Sequence, residues 1–249
     1  KQEVRTLVNF IKIQKERGKA GLKTSPISYH CVFTGSPGTG KTTIARIVAK
    51  LYLHLGILQK GHLVETDRSG LVAEYTGQTA VKTNKIIDSA INGVLFIDEA
   101  YSVVGENQDD FGKEAIATLI KRMEDDRDKL VVIVAGYTKE MGKFMKSNPG
   151  FKSRFNRYID FADYSPLELE EIFLSRCKSV DYSLVDGAKE ELRKVINVAF
   201  QAKDNSFGNA RFVRNLFEKT LEKQANRLAG LASVTKEILI TIIRDDIAD

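Results

Sequence analysis

Along the first two-thirds of the chain, short apolar runs alternate with stretches whose apolar residues recur at helical spacing. The runs occupy 29–34, 62–64, 94–97, 130–134 and 158–161. Continuous apolar runs of this length predict strands buried on both faces. After the first run, Ile44, Ile47, Val48, Leu51 and Leu55 return at helical intervals; Ile116, Leu119, Ile120 and Met123 share one helical face further on. This alternation predicts an α/β fold, a parallel five-stranded sheet with flanking helices on both sides.

The pattern changes after 161. Ser165-Pro166-Leu167-Glu168 reads as a helix start, with Ser as N-cap, Pro at the first helical position and Glu reaching back to the cap. Beyond it come three helical patterns and no strong strand: Ile172 and Phe173, then Leu192, Val195, Ile196 and Phe200, then Phe212, Val213, Leu216 and Leu221. The expected organisation is an α/β domain over 1–162 followed by a small all-α domain over 163–249.

Composition narrows the classes. With 249 residues, 43% of them hydrophobic, the chain can bury a sizeable core. Its 38 Lys and Arg exceed its 33 Asp and Glu only slightly, and no DNA-binding motif accompanies the surplus, so a nucleic-acid partner is disfavoured. Cys31 and Cys177 form no CxxC pair, and His30, His54 and His62 add no zinc spacing. A reducing cytoplasmic setting is therefore expected. No apolar run approaches the roughly 18 residues of a membrane span. The chain begins at Lys1 rather than Met, as an excised domain with an upstream module would.

The candidate chemistry begins where the first strand ends. Gly35-Ser36-Pro37-Gly38-Thr39-Gly40-Lys41-Thr42 fits G-x-x-x-x-G-K-[ST] at every fixed position, between a strand and a helix. Such a loop turns backbone N–H groups and a helix N-terminus towards phosphate. Gly35, Pro37, Gly38, Thr39, Gly40, Lys41, Thr42 and Thr43 are thus assigned to ATP, with Lys41 at the β- and γ-phosphates and Thr42 on Mg²⁺. The run 94–97 ends in Asp98 and Glu99. Acids at that end of a strand lie where open α/β sheets bind ligands, so Asp98 is assigned to the Mg²⁺ shell and Glu99 to the attacking water.

Two arginine segments follow. Arg154 and Arg157 precede the last strand, and a P-loop hydrolase needs positive charge at the γ-phosphate, often from a neighbouring subunit; Arg154 is the candidate. Arg211, in Gly208-Asn209-Ala210-Arg211, opens a helix where the dipole favours acids, which suggests a purpose such as reaching phosphate. Tyr75 stands between small, flexible residues, and its context alone is as compatible with core or ligand stacking as with gripping a substrate.

Together these segments resemble an AAA+ ATPase over nearly the whole chain. Leu71 to Ala80, Gly93 to Tyr101, Ala135-Gly136-Tyr137, Asn148-Pro149-Gly150-Phe151 and Gly208-Asn209-Ala210-Arg211 are similar, more narrowly, to the CbxX/CfxQ family. That family includes red-type Rubisco activases, a sporulation group and the ATPase part of a type VII secretion component. The resemblance implies that Arg154 is a trans-acting arginine finger with Arg157 as the second arginine of its region. It also implies that Arg211 is a sensor-2 residue on a lid domain and that Tyr75 is a pore-loop aromatic. Where many AAA+ proteins carry a polar sensor-1 Asn, this chain has Ala135-Gly136-Tyr137-Thr138, and Thr138 is nearest by position. The implied protein is a Mg-ATP-dependent homo-oligomer, a hexameric ring that remodels a protein client. The alternatives are a nucleotide-dependent scaffold or switch, and a nucleic-acid-acting loader.

Overall fold

In the computed structural model, which describes residues 2–23, 28–75, 77–104, 110–204 and 207–247, each apolar run becomes a parallel strand. The strands are β1 (Cys31–Gly35), β2 (Leu63–Thr66), β3 (Gly93–Ile97), β4 (Leu130–Gly136) and β5 (Arg157–Phe161), side by side in the order β2-β3-β4-β1-β5. Both β3 and β4 are buried along their whole length, the physical origin of their unbroken apolar sequence. Alternate side chains serve opposite faces. Cys31 and Phe33 pack with Val48, Ala49 and Tyr52 of α2 (Lys41–His54). Val32 points the other way, into a cluster with Ile87, Leu119 and Phe144. Those three belong to α4 (Thr79–Ala90), α5 (Asp110–Asp125) and α6 (Thr138–Ser147); single turns form α3 (Arg68–Leu71) and α7 (Pro149–Lys152).

Helix α1 (Gln2–Lys19) is not among the expected elements. Leu7 and Ile11 seal the α2 side of the sheet, but Phe10 and Ile13 on the same helix are exposed, which blurs the apolar stripe on which a helix is recognised. Just before β1, His30 is buried and its Nδ1 accepts the Val132 N–H at 2.9 Å. Burial lowers the His30 pKa to about 4, so the ring is neutral and able to accept.

The chain divides into two compact units: residues 1–35 with 40–161, and Ser36–Thr39 with Ala162–Asp249. The second holds the three expected helices, α8 (Pro166–Ser179), α9 (Asp186–Gln201) and α10 (Ala210–Ala229), around Leu169, Phe173, Leu192, Val213 and Phe217. The start signal at Ser165 works as read. Its hydroxyl accepts the Glu168 N–H, Glu168 Oε2 accepts the Ser165 N–H at 2.9 Å, and Pro166 occupies the first turn. Beyond expectation, the unit adds α11 (Lys236–Ile240) and a parallel pair of two-residue strands, β6 (Ser183–Leu184) and β7 (Thr241–Ile242). Two residues are too few to show a strand period.

Candidate nucleotide site

The phosphate loop starts where β1 stops. Gly35 has φ 143°, and a Cβ there would lie 2.3 Å from the Phe161 carbonyl oxygen on β5, so only glycine fits. Gly40, at φ 92°, precedes α2 without any side-chain cap, and no acid stands in the helix's first turn. The N-terminus of a 14-residue helix without a side-chain cap turns backbone N–H groups and the positive end of its dipole towards an anion. Lys41 Nζ folds back to donate to the Gly35 carbonyl at 2.8 Å, which spans the loop it is assigned to serve. Thr42 is half-buried and Thr43 exposed, on the first turn of α2.

The acids leave the same edge of the sheet. Ile97 is level with Val134 on β4, and Val134 with Val32 on β1, so the residues after Ile97 emerge beside those that lead into the loop. Asp98 still donates its N–H to Thr66 of β2 at 2.9 Å; Glu99 then turns to φ 47°, donating its N–H to Asp98 Oδ1 at 3.1 Å. A left-handed non-glycine residue costs on the order of 1–2 kcal/mol. Here it places the Glu99 carboxylate in solvent while Asp98 stays half-buried. Oxygen donors such as the Thr42 hydroxyl and Asp98 carboxylate suit a hard cation such as Mg²⁺.

At the end of β4 the structure gives a reason for the small residue that stands in Ala135-Gly136-Tyr137. A Cβ on Gly136 would lie 2.6 Å from the ring of Tyr101, two residues beyond Glu99. Tyr101 also stacks at 6.2 Å between centroids on Tyr137, and its phenol pKa is raised, first by burial and then by the Glu99 charge. Gly136→Ala is therefore expected to destabilise the protein by about 1–3 kcal/mol through overpacking, checked by chemical denaturation. An unchanged midpoint would show that Tyr101 moves aside freely. Thr138 opens α6 at this edge, its hydroxyl 3.5 Å from Asp160 Oδ1, which also accepts from Thr34 at 2.8 Å.

Arg154 and Arg157 stand elsewhere. Arg157 pairs with Cys31, the first residue of β1, whereas the loop leaves four residues later, about 13 Å along the strand. The Arg154 carbonyl accepts from Ser28, ahead of β1; its guanidinium donates to the Gly150 carbonyl at 2.9 Å and lies 3.4 Å from Glu124 Oε2. Arg157 sits 5.6 Å over the Phe10 ring, and Nε of each arginine is buried with no partner among the described residues. Neither is brought to the phosphate loop of its own chain.

Tyr75 is not core: it is 68% exposed, between α3 and α4. The segment leading to it is tied down, since Lys82 Nζ donates to the carbonyls of Ser69 and Val72 and the Thr83 hydroxyl to that of Leu71. Beside it a cleft of about 540 Å³ is lined by Arg68, Glu74, Lys82 and Glu99 among others. Arg68, which no motif marks, donates to the carbonyls of Ser102 and Val103 just beyond Glu99. In the second unit, Arg211 is the exposed second residue of α10, its N–H donated to Gly208. Asn209, two residues before it, is fully buried, and its residue type in the segment carries no sequence signal of a site role.

A glycine cradle, a lysine across it, an uncapped helix and two acids on one sheet edge define a P-loop nucleotide hydrolase. Residues 31–163 match the ATPase family associated with various cellular activities (AAA), and residues 165–249 match the AAA lid domain. The chain belongs to this AAA family, in its CbxX/CfxQ group, and is an ATP hydrolase. It is 42% identical to stage V sporulation protein K of Bacillus subtilis, over all of this chain and 77% of that protein. Protein CfxQ of Xanthobacter flavus is 41% identical over 99% of this chain and 78% of its own. The ESX-3 secretion system protein EccA3 of Mycobacterium leprae is also 41% identical over 99% of this chain, which spans 41% of its length. The fold is shared with the FIGL-1 AAA domain in complex with ADP, at 16% identity and a TM-score of 0.66 over 98% of this chain and 78% of that one.

Proposed function

We propose that this protein is a ring-forming, Mg-ATP-dependent remodeller that acts on a protein client through Tyr75. Residues 1–162 bind and cleave ATP, and residues 163–249 act as its lid. Gly35, Pro37, Gly38, Thr39, Gly40, Lys41 and Thr43 hold the nucleotide, with Arg211 and Thr138 as further contacts. Thr42 and Asp98 would hold Mg²⁺, which would supply positive charge to the phosphates. Glu99 orients the attacking water and takes its proton. The observation that carries the oligomeric reading is the position of Arg154 and Arg157 at the sheet edge away from their own phosphate loop. A second copy is the source of a γ-phosphate for them, and a hexamer fits the family.

The exposed ring of Tyr75 on a tethered segment supports a client-gripping role. The names of the relatives suggest sporulation, secretion or a Rubisco-activase-like task. Among the described residues no helix is long and apolar enough to cross a membrane. A cytoplasmic location is proposed with the rest. Tyr75→Ala is expected to abolish work on the client while hydrolysis without client persists. ATPase stimulation by candidate proteins and by DNA, measured side by side, gives the check. Stimulation by DNA alone would favour a loader, and client remodelling retained by Tyr75→Ala would remove the pore-loop role.

A further inference from the structure

The four residues between Gly35 and Gly40 pack with the C-terminal unit, and each is held by a group from its 163–210 segment. The Ser36 hydroxyl bonds the Asp163 carboxylate. The Pro37 carbonyl accepts from Asn209 Nδ2 at 3.2 Å, the Gly38 carbonyl from the Ala210 N–H at 3.2 Å, and the Thr39 carbonyl from the Tyr164 hydroxyl at 3.2 Å. Gly38, at φ 69°, is pressed so close that a Cβ there would lie 2.0 Å from the Gly208 carbonyl oxygen.

Asn209 organises this contact. It is fully buried, at φ 47° and ψ −120°, and every polar atom of its side chain is used. Oδ1 accepts the Tyr164 N–H at 3.0 Å; Nδ2 is shared by Asp163 Oδ1 at 2.9 Å, Pro37 O and Phe207 O. Lys203 holds the other Asp163 oxygen at 3.2 Å. Burial alone would raise the Asp163 pKa, but the donors Asn209, Ser36 and Lys203 outweigh it and lower the value, so the carboxylate is ionised and orients the amide.

In a trans peptide the carbonyl of one residue and the N–H of the next point in opposite directions, and no cis bond occurs among the described residues. Drawing the carbonyls of Pro37, Gly38 and Thr39 towards the helical segment therefore aims the N–H groups of Gly38, Thr39 and Gly40 away from it. None of these three N–H groups has a protein acceptor among the described residues. They are the donors that a phosphate needs.

We infer that Asn209, oriented by Asp163, is a positioning residue for nucleotide phosphate, presetting the tip of the loop so that its N–H groups face the ligand. The inference rests on the nucleotide assignment of the same loop. It predicts that nucleotide affinity and the stability of the helical unit can be separated. Asn209→Ala is expected to raise the Kd for a fluorescent ADP by about tenfold or more, with the KM for ATP rising by a larger factor than kcat falls. Tyr164→Phe, which removes one hydroxyl, is expected to raise Kd about threefold at an unchanged Tm.

The deciding variant exchanges the pair, Asp163→Asn with Asn209→Asp, in the full chain. It restores an amide beside a carboxylate but leaves the Pro37 carbonyl without a donor. Recovery of Tm with Kd still raised supports the inference. Recovery of both, or an unchanged Kd in the Tyr164→Phe and exchanged chains, overturns it and leaves Asn209 a residue of the helical core. If Asn209→Ala does not fold, these two chains decide alone. Lys41→Ala separates the two levels: a wild-type chain that binds ADP no better than Lys41→Ala overturns the nucleotide assignment and this inference with it.

Discussion

Arg154→Ala is expected to lower kcat by about 10³-fold or more with ATP still bound, the scale on which an arginine finger acts in P-loop hydrolases. In its own chain the guanidinium is engaged by the Gly150 carbonyl and Glu124, at the end of the sheet where Ser28 and Cys31 lie. If, as proposed, its charge serves a neighbour's nucleotide, the loss is complementable. Arg154→Ala subunits keep an intact phosphate loop; Lys41→Ala subunits keep an intact arginine. Mixed together, they should regain part of the activity that each lacks alone. If titrating one into the other restores no hydrolysis, the finger is not supplied in trans. An Arg154→Ala rate equal to wild type would move the role to Arg157.

Glu99→Gln is expected to reduce kcat by about 10²–10⁴-fold, the range for a positioned general base, while ADP binding is kept. Its amide matches the carboxylate in shape but cannot take a proton from water. Because Glu99 is held at φ 47° by the Asp98 carboxylate on its own N–H, the substitution should leave the turn intact. Steady-state phosphate release gives the rate and equilibrium titration gives the affinity. A variant that hydrolyses within a few-fold of wild type would show that another group activates the water.

Much of this site can be read along the chain because its parts are local. The loop from Gly35 to Thr42 is eight consecutive residues. Asp98 and Glu99 end one apolar run, and the cap at Ser165 closes within three residues. Helix α1 escaped because Phe10 and Ile13 interrupt its apolar face, and β6 and β7 because two residues carry no period. The sequence around Tyr75 fits core and surface alike, and it is the packing that leaves its ring in solvent. The physical reason for glycine at 38 and 136 is not local: the Gly208 carbonyl and the Tyr101 ring are what they make room for.

By itself, then, the sequence determined the phosphate loop, the paired acids, the five strands and the three helices that follow, though β2 and β5, at the edges of the sheet, are only partly buried. Each of these is written in residues a few positions apart, where backbone geometry and hydrophobic period act directly. Only the tertiary structure decided which edge of the sheet Arg154 and Arg157 occupy and which groups hold the tip of the loop. The bond from Asn209 to Pro37 joins positions 172 residues apart. No local period records such a contact, because it exists only after long-range packing has brought the two segments together.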